Sequence, residues 1–365
     1  MYTEIAKIIE GGLLKDSKKV YSYAHHLVKK LREDGDNRFA DRLTKILAGG
    51  TNGTPVYKDE LFNTPVDTET RLSIADIILP DKNDVSQLVL SDSVNVSLAN
   101  FIDIVNNKAK FDEIGLEINS SLLLYGPPGC GKTSIAKYIA NKLDLPIIIA
   151  RFDSLISSLL GSTSKNIRSL FEYASNKPCV LFLDEFDAIA KDRKDQQEQG
   201  ELKRIINSLL QNIDQFLSNN ILIAATNHHE LLDDAIWRRF EQVIEIEKPN
   251  IDEIFFMIDK LTHSISTEIT SDKKKKQIIA DNMLTLSNSE VKKIINNAIS
   301  KSIIKKNEQV LLEDFLVEIF RYKQNHNITQ ESTVRFLHDN GVSQNSISHY
   351  CDISIRQVRN HLNVK

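Results

Sequence analysis

Apolar positions recur every three or four residues near the start of the chain, at Ile5, Ile8 and Ile9 and then at Val20, Tyr21, Ala24, Leu27, Val28 and Leu31. That spacing predicts short amphipathic helices. Asp34 to Asn37 breaks the pattern, and a further helix from Arg38 to Leu47 runs up to Gly49 and Gly50. Residues 1–48 are therefore expected to form a helical domain. Residues 49–71, with Pro55, Pro65 and few apolar positions, read as a linker. Between 72 and 249 the pattern changes to short apolar runs (SLLLYG, LPIIIAR, CVLFLDE, NILIAATN, QVIEIE) separated by helical stretches. Such alternation predicts an α/β domain built on a parallel sheet. Helical periodicity without strands returns over 250–323, the signature of a small all-helical domain. After the polar stretch Tyr322 to Asn327, residues 328–365 read as a compact helical unit of their own.

The strongest chemical signal lies directly after the first of those strands. Gly126, Pro127, Pro128, Gly129, Cys130, Gly131, Lys132 and Thr133 fit the pattern G-x-x-x-x-G-K-[ST], and Ser134 opens the helix that follows. Glycines there let backbone N–H groups turn toward phosphates at a helix N-terminus. Lys132 is placed to reach the β- and γ-phosphates of a nucleotide, and the Thr133 hydroxyl to ligate Mg2+. A later strand ends in Asp184 and Glu185, two carboxylates at the end of a buried apolar run, where charge is costly without a purpose. Asp184 is read as holding hydrated Mg2+, and Glu185 as polarising the attacking water. Asp187 is read either as a structural or capping carboxylate or as a functional one. Asn227, at the end of the strand Ile221 to Thr226, is a neutral amide suited to orienting that water. Arg238 and Arg239 stand just before the next strand, an order of elements that favours an arginine finger acting on a neighbouring subunit's nucleotide.

With GPPGCGKT, FLDEFDAIA, the ATN strand end and DDAIWRRF in this order, the chain resembles the AAA+ ATPases from about Leu72 to Arg321. The resemblance implies an α/β nucleotide domain with a helical lid, use of ATP, homo-oligomers, expected to be hexamers, with nucleotide at subunit interfaces, and remodelling of a protein substrate. The stretches SLISSLLGSTSKNIRSLFEYA and GELKRIINSLLQNID look like those of a bacterial group often encoded beside a subtilisin-like serine protease in defence against phage or plasmids. That narrower resemblance implies a separate protease partner. Two departures stand out. Leu159, Leu160 and Gly161 occupy the pore-loop positions, with Leu159 where many relatives have an aromatic residue; ordinary packing is the alternative reading of the two leucines. Ser287-Asn-Ser-Glu290 holds no arginine where many lids carry one.

The last residues resemble a helix-turn-helix: short helices at Thr333 to Leu337, Ser343 to Cys351 and Ile355 to Leu362, with Asp352 where that motif usually has glycine. Outward candidates on the last helix are Arg356, Gln357, Arg359 and Asn360, residue types suited to DNA bases and phosphates. From Arg321 onward six Lys or Arg face three Asp or Glu. A DNA contact and a protein-docking role stay open side by side.

Composition narrows the partners. Forty-six basic against fifty acidic residues give a net charge of -4 over 365 residues, so any nucleic-acid contact must be local. No basic and apolar leader opens the chain, and no apolar run reaches spanning length, so a cytoplasmic protein without membrane contact is expected. Cys130, Cys179 and Cys351 are too scattered for a disulfide framework or a zinc site. His229-Glu-Leu-Leu-Asp233 has Asp where a metalloprotease motif would place its second His.

Overall fold

The computed structural model describes residues 24, 27–28, 30–31, 38–43, 74–81, 88–151, 160–175, 177–189, 199–217, 220–305 and 309–363. The chain divides into two compact units, Met1–Pro65 and Val66–Lys365. In the first, Leu27, Val28, Leu31 and Ala40 bury together, with Leu43 against them. The predicted linker at 49–71 lies outside the described residues, and so does Leu159.

In the second unit the strands are β1 (Asp76–Ile78), β2 (Ser121–Tyr125), β3 (Ile147–Arg151), β4 (Val180–Asp184), β5 (Ile221–Thr226) and β6 (Gln242–Glu245). Among the described residues they form one sheet in the order β1-β3-β4-β5-β2-β6. All neighbouring pairs are parallel except β1 with β3, where Ile77 faces Ile148 in antiparallel register. The expectation of a parallel sheet holds for its five long-predicted strands. The edge strand β1 was not foreseen, because Asp-Ile-Ile is too short to carry a period.

Strand residues alternate between two cores, as the two-residue period of a strand requires. Leu123, Ile148, Leu181, Leu183 and Leu222 face α3 (Leu160–Ser175) and α4 (Gln199–Leu217). Leu122, Leu124, Ile147, Val180 and Ile223 face α1 (Asp92–Glu113) and α2 (Lys132–Lys142). With both faces covered, the central strands are apolar at every position rather than at alternate ones. Leu160 and Gly161, proposed from sequence for a pore loop, are the first two residues of α3.

After β5 a four-residue helix, α5 (Asp234–Trp237), is capped by Asp233, whose side chain accepts from the Ala235 N–H. The helices α6 (Ile251–Thr262), α7 (Lys273–Met283), α8 (Asn288–Ile304) and α9 (Leu312–Lys323) follow β6. A capping box between Asn250 and Glu253 starts α6 directly after Pro249. Three last helices complete the chain: α10 (Gln330–Asp339), α11 (Gln344–Tyr350) and α12 (Ile355–Asn363). They do not bury a core of their own. Val334, Leu337, Val342, Ile347 and Val358 join the cluster of Ile258, Ile279, Ile295 and Phe315 from α6 to α9. The Phe320 and Phe336 rings stack 4.5 Å apart, and the Tyr350 hydroxyl donates to Asp314 at 3.1 Å. Asp352, between α11 and α12, adopts the left-handed conformation (φ 53°), which glycine takes more readily than a residue with a Cβ.

Candidate functional site

Gly126–Thr133 joins the C-terminal end of β2 to the N-terminus of α2. Two close approaches explain its glycines. A Cβ on Gly126 would lie 2.1 Å from the Ile246 carbonyl oxygen, and one on Gly129 would lie 2.4 Å from Ser289 Oγ and 2.7 Å from Ser287 Oγ. The second contact involves α8. The Ser289 N–H also donates to the Gly129 carbonyl at 3.0 Å, so the first turn of α8 closes on the loop. Ser287-Asn-Ser-Glu290, which reads from sequence only as a lid lacking an arginine, therefore touches the phosphate loop through small side chains and backbone. Glu290 holds that turn: its carboxylate accepts from the Ser287 N–H and hydroxyl and from the Tyr322 hydroxyl of α9. Those bonds, the Ser287 N–H foremost, hold the Glu290 carboxyl below its ordinary pKa.

Lys132 is buried, and its ammonium donates to the Gly126 and Pro127 carbonyls at 2.7 and 2.9 Å. Burial pushes its pKa down, opposed by Cys130, Asp184 and Asp187. Thr133 Oγ1 donates to Asp184 Oδ2 at 2.8 Å, bringing together the two side chains assigned to a divalent cation from positions 51 residues apart. The other Asp184 oxygen accepts from the Glu185 N–H at 3.0 Å. Glu185 is exposed and adopts φ 53°, a conformation unfavourable for a residue with a Cβ, of a kind that clusters at functional sites.

The two readings of Asp187 resolve into a fixed place. It is buried, and its Oδ1 accepts from Thr226 Oγ1 at 3.1 Å and from the Asn227 N–H at 3.3 Å. It thus ties the turn after β4 to the end of β5 and sets the backbone that carries Asn227. Arg239 and Arg238 diverge. Arg239 holds Asp214 through Nε at 3.2 Å and Nη2 at 3.3 Å, and donates from Nη1 to the Ala235 carbonyl at 2.7 Å. Arg238 is exposed, and its guanidinium makes no hydrogen bond or ion pair among the described residues.

Next to the loop lies a cavity of 370 Å³ whose apolar wall is Leu88, Val89, Leu90, Met257 and Leu261, with Cys130 and Asn288 beside them. Its size and lining suit an aromatic base. The five apolar residues do not stand out in sequence, since single apolar side chains in a helix and a loop look like ordinary packing; only their convergence on the phosphate loop marks them. Burial raises the Cys130 pKa, with Lys132 acting in the opposite direction, so the cavity wall carries a thiol.

Residues 122–248 match the model of the AAA family, "ATPase family associated with various cellular activities". An uncharacterized AAA family ATPase of Sinorhizobium fredii is 36% identical over 295 residues, which span 80% of this chain and 87% of that protein. The chain belongs to the AAA family of ATPases. Like other AAA ATPases it binds and hydrolyses ATP. Proteasome-activating nucleotidase 1 of Haloferax volcanii is 37% identical over 215 residues, 56% of this chain and 52% of the nucleotidase. Among solved structures, the FIGL-1 AAA domain matches with a TM-score of 0.56 at 20% identity, covering 72% of this AAA chain and 91% of that domain, a likeness of fold. Among the described residues no helix is long and apolar enough to cross a membrane.

Proposed function

We propose that this AAA ATPase works as a cytoplasmic homo-oligomer, a ring of six, in which each site is completed by Arg238 of the next copy and the cycle remodels a protein substrate. One observation carries the reading: of the two adjacent arginines, Arg239 is spent on Asp214 and Ala235 within its own subunit, while Arg238 stands exposed. The oxygen pair Thr133 and Asp184 suits a hard cation such as Mg2+. Bound there, the ion would neutralise charge on the β- and γ-phosphates. Lys132 exchanges its two loop carbonyls for phosphate oxygens, Glu185 takes the proton of the attacking water, and Asn227 orients that water.

Kinship with a proteasome-activating nucleotidase favours protein over other substrates. In the finer form of the proposal, the motor feeds or regulates a separate subtilisin-like serine protease in defence against phage or plasmids. The sequence stretches around SLISSLLGSTSKNIRSLFEYA support that form. Leu159 and Leu160, ahead of Gly161, would then grip peptide through apolar contact.

The test is steady-state ATP hydrolysis by the full chain, alone, with an unfolded protein and with duplex DNA. Stimulation by the unfolded protein is expected, and an equal rate in its presence and absence would refute remodelling.

A second reading, a nucleotide-dependent switch on DNA, is favoured by one feature of α12: Arg356 and Asn360 are exposed on a helix without acidic residues. Gln357 and Arg359 are less available. The Gln357 side chain accepts from the Ser354 N–H and hydroxyl at the helix start, and Arg359 donates to Gln344 at 3.3 Å. Stimulation of ATP hydrolysis by duplex DNA, lost in an Arg356→Ala, Asn360→Ala variant, would establish this reading instead.

A further inference from the structure

The fold gathers three aromatic rings from three separate segments. The Tyr125 and His229 ring centroids lie 4.7 Å apart at 52°, Tyr125 and Trp237 5.7 Å apart at 76°, and His229 and Trp237 6.3 Å apart at 85°. Each ring adjoins one part of the nucleotide machinery. Tyr125 precedes Gly126 of the phosphate loop, His229 follows Asn227 by two residues, and Trp237 immediately precedes Arg238. Tyr125 is itself pinned at both ends, by its hydroxyl donating to Glu245 at 3.2 Å and its carbonyl accepting from the Ile246 N–H at 2.7 Å.

The turn that bears Arg238 does not need these rings to stay on its domain. Ile236 and Phe240 are buried in the main core, and Arg239 is tied to Asp214. The rings sit at the rim instead, with Trp237 and Tyr125 half-buried and His229 exposed. The two edge-to-face pairs made by Trp237 are directional, so a shift of one ring is felt by the others. What the cluster adds to the anchored turn is a direct link from the strand that ends in the phosphate loop to the residue next to Arg238.

We infer that Tyr125, His229 and Trp237 form a coupling element through which a subunit's own phosphate loop sets the direction in which it offers Arg238 to the nucleotide of a neighbouring copy. Trp237 and Tyr125 are positioning residues in this scheme, acting through Arg238. The inference rests on the proposed action of Arg238 in trans. It makes the firing of one site depend on the occupancy of the next, a dependence that appears as cooperativity in ATP concentration.

The experiment compares wild type, Trp237→Ala, Trp237→Phe, Arg238→Ala and the double variant Trp237→Ala, Arg238→Ala as full chains. Turnover, Hill coefficient, affinity for a fluorescent ADP analogue and oligomer size are measured for each. Arg238→Ala is expected to lose turnover by about a thousandfold, the scale of an arginine finger, with ADP affinity kept. Trp237→Ala should lower kcat about tenfold and bring the Hill coefficient to one at unchanged ADP affinity and oligomer size, Trp237→Phe should restore most of the rate, and the double variant should be no slower than Arg238→Ala.

Wild-type turnover in Arg238→Ala would remove the action in trans and the inference with it. An inactive Arg238→Ala beside a wild-type kcat and Hill coefficient in Trp237→Ala would overturn the coupling alone, as would multiplicative losses in the double variant. Trp237 is the chain's only tryptophan, so its emission reads the same link without any substitution. A change on saturating the wild-type protein with ATP is expected, and identical spectra would overturn the inference.

Discussion

Glu185 concentrates the residue-scale chemistry. Its backbone is held at φ 53° beside an aspartate that is itself bonded to Thr133, so main-chain geometry contributes to where its carboxylate points. Glu185→Gln keeps shape and removes only the carboxylate proposed as the base. Turnover is expected to fall at least about a hundredfold while ATP affinity stays within a factor of two, the pattern of a lost general base; a fluorescent nucleotide titration alongside a phosphate-release assay checks both halves. Gly129 is the complementary case. An alanine there would meet Ser287 and Ser289 hydroxyls and also sit at φ 77°, a conformation costing a residue with a Cβ about 1–2 kcal/mol. Gly129→Ala should therefore lower the melting temperature and weaken ATP binding together, as seen by thermal denaturation with and without nucleotide. Unchanged ATP affinity in that variant would show that closure of α8 on the loop does not matter for binding.

Among the elements, the ends of the strands carry the site, and side chains between neighbouring ends keep them in register. Asp187 does this between β4 and β5. Replacing it by alanine leaves the Thr226 hydroxyl and the Asn227 N–H without their acceptor in a buried place, a loss on the order of 1–3 kcal/mol. Asp187→Ala is expected to lower the unfolding free energy measured in urea by that amount and also reduce turnover through Asn227, whereas Asp187→Asn, which keeps an acceptor, should recover most of the stability. The motif residues of this site were readable along the chain because their spacing and their position after apolar runs are local properties. Which of Arg238 and Arg239 faces outward was not readable, since the answer depends on Asp214, 25 residues away on α4.

For the molecule as a whole, α6 to α9 and the three terminal helices behave as one body. Val334, Leu337, Ile347 and Val358 fill the same core as Ile295 and Phe315. Tyr350 reaches Asp314, and Tyr322 reaches Glu290, whose turn closes on Gly129. A chain ending at Lys323 would expose Phe320 and the neighbouring apolar face, each large side chain uncovered costing about 1.5–3 kcal/mol. That truncation is expected to bind a hydrophobic dye and lose ATP affinity as well as any terminal contact. Wild-type ATP affinity in the truncated chain would contradict the single body. The question of DNA is therefore better asked of surface substitutions on α12 than of a shortened chain.

From the order of residues alone came the phosphate loop, the carboxylate pair, the strand followed by Asn227 and the switch from sheet to helices near Pro249. Each rests on near neighbours in the chain, where period, spacing and backbone preference act. Folding alone assembled the base-sized cavity from Leu88 to Leu90, Met257 and Leu261, divided the two arginines, set Asp187 between two strands and merged the terminal helices with the lid. Those outcomes are contacts between residues far apart in the chain. Apolar and charged side chains of this kind are interchangeable in a local pattern, and only packing gives each one its neighbour.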